Sequence, residues 1–150
     1  MAPKFSLQSV LDLRHGKVEI LEIELGRLLA ACQKTEVLLI SLKESQLNLF
    51  EQLNAAQSGE IDLFKNNSIR SNILQINKSV ENTTLELARQ NQEVENKRAE
   101  LVKAKQSEET LEILKTKRHE VYLAEQVQIE ARTQDDIYIN QAFRNQRQGA

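Results

Sequence analysis

Apolar residues recur through the first third of the chain at alternating steps of three and four. With Leu11 as position a of a heptad, the a series is Leu11, Val18, Leu25, Cys32, Leu39, Gln46 and Leu53. The d series is Leu7, Arg14, Leu21, Leu28, Thr35, Leu42, Leu49 and Ala56. Twelve of these fifteen positions are apolar. A repeat of ~3.5 residues keeps one stripe facing a partner helix along its whole length, the requirement for a coiled coil. The pattern predicts helix 1 from about Ser6, a candidate N-cap, to about Gln57. The seam stops at Gln57-Ser58-Gly59-Glu60, where Gly59 suits the position just after a helix end.

A second stripe follows at the same spacing: Ile69, Ile73, Ile76, Val80, Leu87, Val94 and Leu101. Asp62 and Ser68 are both competent N-caps, so the turn covers about 58–62 or extends to 68. Helix 2 is predicted to about Phe143, with residues 144–150 as a frayed tail. A short connection between two long amphipathic helices makes an antiparallel hairpin. The expected fold is therefore all-α: one coiled-coil domain of two long helices, the second longer and overhanging.

A turn near residue 60 sets Leu7 opposite a residue between about 112 and 118. The remaining second helix is then an overhang of about 25–30 residues, roughly 40 Å. It carries Val121, Tyr122, Val127, Ile129, Ile137, Tyr138, Ile139 and Phe143. Opposite the d row stand Thr83, Gln90 and Lys97, which pack poorly but fix register. The hairpin is thus expected to be snug near the turn and looser towards the termini. Gly16 and Gly26 lie inside helix 1, each costing roughly 1 kcal/mol relative to Ala. Close approach of the partner helix explains them, or local bending.

Composition narrows the function. The 150 residues include one Pro and four Gly, and aromatics are 4%; helix formers dominate and turns are scarce. The apolar residues form a stripe, so function belongs to surfaces and not to a pocket. A net charge of −2 supplies no basic footprint for nucleic acid and no polybasic membrane patch. No apolar run reaches the ~18 residues of a membrane span, and the start lacks a signal-peptide pattern. One cysteine excludes an internal disulfide and fits a reducing cytosol. The expectation is a cytoplasmic protein without direct membrane insertion.

Catalytic constellations are missing from the pattern. His15 and His119 are each isolated from a second ligand at metal spacing and read as helix surface. Cys32 is a small core residue at an a position. Asp135 and Asp136 diverge by about 100° on a helix, which defeats a shared acid–base site. Neither a Gly-rich phosphate loop nor a nucleophile elbow occurs. No enzyme activity, cofactor or metal is expected. The run Lys115-Thr116-Lys117-Arg118 either meets an acidic partner or is wet surface. Ile69, Ile73, Leu74, Ile76 and Val80 exceed what one seam consumes; they close the hairpin end or form a sticky patch, and Phe64 at the turn is open in the same way.

The opening Lys4-Phe5-Ser6-Leu7-Gln8-Ser9-Val10-Leu11-Asp12-Leu13-Arg14 resembles the start of the flagellar export FliJ family, whose hallmark is Phe-x-Leu-x-x-Leu-Leu-x-Leu-Arg. The block from Glu24-Leu25-Gly26-Arg27 through Ala31-Cys32-Gln33 to Leu42 is similar to that family's first long helix. Tyr122 and Ala124, then Asp135-Asp136 ahead of Arg144, resemble its closing segment, with Asp136 where the family usually has Glu. The resemblance spans nearly the whole chain.

It implies a stalk similar to the central shaft of a rotary ATPase, monomeric when free. The two termini would enter the hole of a hexameric export ATPase ring and promote its assembly, the overhang reaching deepest. Phe5, Leu7, Leu11 and Arg14, with Tyr138 and Phe143, are the ring-contact candidates. The start of helix 2 would contact the membrane-embedded export gate. Ile76 best matches that apolar face, with Ile73 and Val80 beside it. Export chaperones are further implied partners, and the implied location is the cytoplasm at the inner face of the membrane.

Two alternatives stand beside this reading. One is a generic coiled-coil scaffold that dimerises through its own seam, the overhang pairing between protomers; the other is the stalk of a related injectisome or rotary ATPase. A prefoldin-like holdase would need a β-hairpin, and residues 57–68 have too little β-branched alternation to supply it.

Overall fold

The computed structural model describes residues 2–149 and contains two helices, α1 (Gln8–Gln57) and α2 (Leu63–Gln148). The two helices pack against each other antiparallel, as the stripes require. All fifteen heptad positions, Leu7 ahead of α1 and the fourteen within it, are buried or half-buried. On α2 the inward row is Asn66, Ile69, Ile73, Ile76, Val80, Thr83, Leu87, Gln90, Val94, Lys97, Leu101, Ala104, Glu108 and Leu111. No described side chain is fully enclosed, because two helices cover each other along one stripe only.

The chain divides into two compact units: residues up to Lys17 together with those from Ala104 onward, and residues 18–103. The second unit holds the turn. At the end of α1, the Ser58 backbone N–H and hydroxyl both donate to the Ala55 carbonyl, at 3.3 and 3.0 Å. Gly59 then takes a φ of +102°, a conformation that favours a residue without a Cβ. Of the two candidate caps, Asp62 starts α2. Its Oδ1 accepts from the N–H groups of Phe64 and Lys65 at 3.0 and 3.3 Å. Helix runs unbroken through Ser68.

Within this unit buried positions occur both near the turn and away from it. Val18, Leu21, Cys32 and Val94, far from the turn, are buried. Near the turn Asn66, Ile69 and Ile73 are buried on α2, while the leucines at positions 39, 42, 49 and 53 of α1 are half-exposed. An open groove between the helices there is lined by Ser45, Asn48, Gln52, Asn72, Gln75 and Ser79, with Leu49 and Ile76 beside them. Short polar side chains on both flanks leave the seam uncovered, so leucines in it stay wet.

The polar seam positions are accommodated singly. The Thr35 hydroxyl donates back to the Ala31 carbonyl at 3.0 Å. The Lys97 ammonium donates to Glu24 Oε2 at 2.9 Å and Glu100 Oε2 at 3.5 Å. Hydrogen bonding to Glu24 holds its pKa above the usual lysine value, against a smaller opposing effect of burial. Asn66 Oδ1 and Gln90 Oε1 are buried without a hydrogen-bond partner.

Neither glycine inside α1 marks a close approach. A Cβ built on Gly16 or Gly26 meets nothing within 4 Å. Gly26 is exposed, so a crossing helix backbone is not what these glycines accommodate.

In the other unit, α1 starts without the expected cap. Gln8 N–H donates to the Phe5 carbonyl at 3.1 Å and Leu11 N–H to the Leu7 carbonyl at 2.9 Å. The Ser6 hydroxyl instead accepts from Arg118 Nη1 at 2.8 Å. At the far end α2 continues five residues beyond Phe143, so 144–148 is helix and not a frayed tail. Gly149 N–H still donates to the Asn145 carbonyl at 3.1 Å.

Candidate interaction surface

The unit made by the two ends of the chain shows how the lead is fastened to α2. Leu11, Ala104 and Leu111 are its buried residues. Around them, polar groups reach across the seam. Arg14 Nη1 donates to the Ser107 carbonyl at 2.7 Å. His15 Nδ1 lies 2.6 Å from Glu108 Oε1, so this histidine engages the opposite helix and is not simply solvated. Two and three residues ahead of α1, at Ser6 and Phe5, the chain meets Arg118 on α2. The Arg118 guanidinium sits 5.4 Å from the centroid of the Phe5 ring while bonding Ser6. These contacts set Leu7 opposite the 112–118 stretch, as the position of the turn requires.

The four ring-contact candidates of the lead and α1 are therefore not open surface. Leu11 is buried, and Phe5, Leu7 and Arg14 are half-buried against α2. Tyr138 and Phe143 are the reverse, 73% and 59% exposed. Arg147 covers part of the latter ring, at 5.4 Å from its centroid. Beyond Tyr122 α2 has almost no cover from the rest of the unit. Leu123, Val127, Ile129, Ile137 and Ile139 are all exposed there.

The gate candidates belong to the other unit. Ile73 is buried and Ile76 and Val80 are half-buried, all on the row facing α1. Their neighbour Leu74 is 72% exposed, and Phe64 in the first turn of α2 is 85% exposed. The apolar excess read from the sequence thus separates into a seam and an outer face that holds Leu74. The two faces follow from ~100° per residue, which turns Leu74 away from its neighbour Ile73.

Sequence reasoning passed over one feature here. Pro3, Lys4 and Phe5 lie against Lys115, Arg118, His119 and Tyr122 and leave a cleft between them. The rings of His119 and Tyr122 stack with centroids 6.4 Å apart. The run Lys115–Arg118 was the signal, but its meeting with Phe5 depends on folding.

Among the described residues, no group of three or more His, Cys, Asp or Glu is gathered as a metal site. No described helix is long and apolar enough to cross a membrane. Cys32 is a buried free thiol.

No curated protein and no solved structure matches the chain. The family described as FliJ: Flagellar FliJ protein matches residues 3–147. That span takes in the fastened lead, the turn and the uncovered end of α2 together, and the chain belongs to the FliJ family of flagellar export proteins.

Proposed function

We propose that this chain is a non-enzymatic stalk and coupling protein of flagellar type III export. Its lead and the free length of α2 enter the hole of a hexameric export ATPase ring and promote ring assembly. The start of α2, around Ile73, Ile76 and Val80, links the ring to the export gate. Because those side chains face α1, exposed Leu74 supplies the apolar surface on the solvent side. Export chaperones dock on the outer helix faces. The protein works in the cytoplasm, at the inner face of the membrane.

What supports this reading most is the stretch from Leu123 to Gln148: regular helix, nearly bare, with Tyr138 and Phe143 exposed. A helix held at one end and uncovered along the rest suits entry into a ring lumen, where large apolar side chains find cover. Purified protein added to the cognate export ATPase should raise both its turnover and its assembly into rings. The double variant Tyr138→Ser/Phe143→Ser should lose most of that stimulation. If the unaltered protein changes neither quantity at concentrations well above micromolar, the stalk reading fails.

The same bare apolar residues favour a second reading, a scaffold that pairs through its free α2 ends. Sedimentation equilibrium separates the two. A stalk runs as a monomer of 17.2 kDa, a scaffold as an obligate dimer.

A further inference from the structure

The cleft between the lead and α2 collects positive charge beside apolar walls. Lys4, Lys115 and Arg118 are permanent cations, His119 adds a ring nitrogen, and none of the described lining residues is a carboxylate. Pro3, Phe5 and Tyr122 form the apolar sides. Arg118 is fixed in place: its guanidinium packs on Phe5 and gives one donor to Ser6 at 2.8 Å. An arginine fork has five N–H donors in rigid geometry, so most of its donors remain to be used. Pinning the fork in advance lowers the ordering cost of binding a carboxylate.

Size decides between classes of ligand. The cleft measures about 190 Å³, below the range of about 300–1,000 Å³ typical of nucleotide- and cofactor-sized sites. It accommodates one or two side chains. A carboxylate flanked by an aliphatic group meets both the cations and the apolar walls; a bare phosphate meets only the former.

We propose that this cleft is a docking site for an acidic peptide segment of a partner protein. One carboxylate of the segment is held by Arg118 and Lys115, and an adjacent apolar side chain rests between Pro3, Phe5 and Tyr122. The site goes beyond the stalk reading, and its failure leaves the ATPase stimulation described above untouched.

The experiment uses the full chain and fluorescence anisotropy. The probe is a labelled peptide of repeating Glu-Glu-Leu, with the Gln-Gln-Leu counterpart as control and inorganic phosphate as competitor. The acidic peptide should bind, more weakly as salt rises, and the neutral one should not. Arg118→Gln and Lys115→Gln should each weaken binding about tenfold, in line with loss of a charge pair at a contact, while Lys78→Gln in the other unit should not. Arg118→Lys should recover only part of the loss, since it keeps the charge without the fork. Circular dichroism checks that each variant stays helical. Absence of binding, equal binding of the neutral peptide, or unchanged affinity in both Gln variants overturns the proposal. Phosphate that binds as tightly as the peptide overturns it in favour of a small-anion site.

Discussion

At the scale of single residues, the seam tolerates polar side chains by giving each its own solution. Thr35 satisfies its hydroxyl inside its own helix, and Lys97 reaches out of the seam to Glu24. Asn66 has no such outlet, since its Oδ1 is buried without a partner. Glycine is a separate matter. Gly16 and Gly26 carry the backbone-entropy cost of a helix interior, and no neighbouring atom requires them. Ala at either position should therefore stabilise the protein by about 0.5–1 kcal/mol. Urea unfolding followed by circular dichroism measures this as a higher midpoint at unchanged slope. A lower midpoint for Gly26→Ala would mean that its exposed face is covered by something in solution.

At the scale of elements, the two helices differ in how they begin. α1 starts on backbone hydrogen bonds alone, with no acidic residue in its first turn, and Ser6 accepts from Arg118 instead. α2 starts on a true cap, the Asp62 carboxylate receiving two backbone N–H groups beside the positive φ of Gly59. Replacing Asp62 with Ala should cost about 1 kcal/mol, read as a lower melting temperature, whereas Ser68→Ala should change it little. Equal losses would show that the first turn of α2 frays and that Ser68 serves as the working cap.

These elements were largely legible in the sequence, for a physical reason. A seam between two helices imprints its period on every third and fourth residue, and the fifteen positions from Leu7 to Ala56 chosen by period are all covered. Packing quality was not legible in the same way. It depends on flanking residues such as Ser45, Asn48, Asn72 and Ser79, which decide whether the seam is covered and which periodicity ignores. Among the contact candidates, Tyr138 and Phe143 lie exposed on the overhang, while Leu7, Leu11 and Ile73 face the seam. Of the basic cleft, only the run Lys115–Arg118 could be read. Ser6 and Arg118 stand 112 residues apart, and no local pattern announces their meeting.

At the scale of the whole molecule, stability and the proposed ring contact draw on different lengths of the chain. Buried apolar side chains hold the helices together, and the last of them along α2 is Leu111. Contacts from the lead end at Arg118, His119 and Tyr122. The residues after Tyr122 add helix but nearly no burial, so they contribute little to folding free energy. A chain ending at Tyr122 should therefore keep its unfolding free energy to within about 0.5 kcal/mol, the range of surface changes. Its far-UV signal should fall by the share of helix removed. On the proposed stalk role, the same truncation should abolish stimulation of the export ATPase, because Tyr138 and Phe143 go with it. A large loss of stability would mean that the end of α2 folds back onto other surfaces when free. Full stability with full stimulation would move ring contact from the free helix to the fastened lead, where Phe5 and Arg118 already stand together.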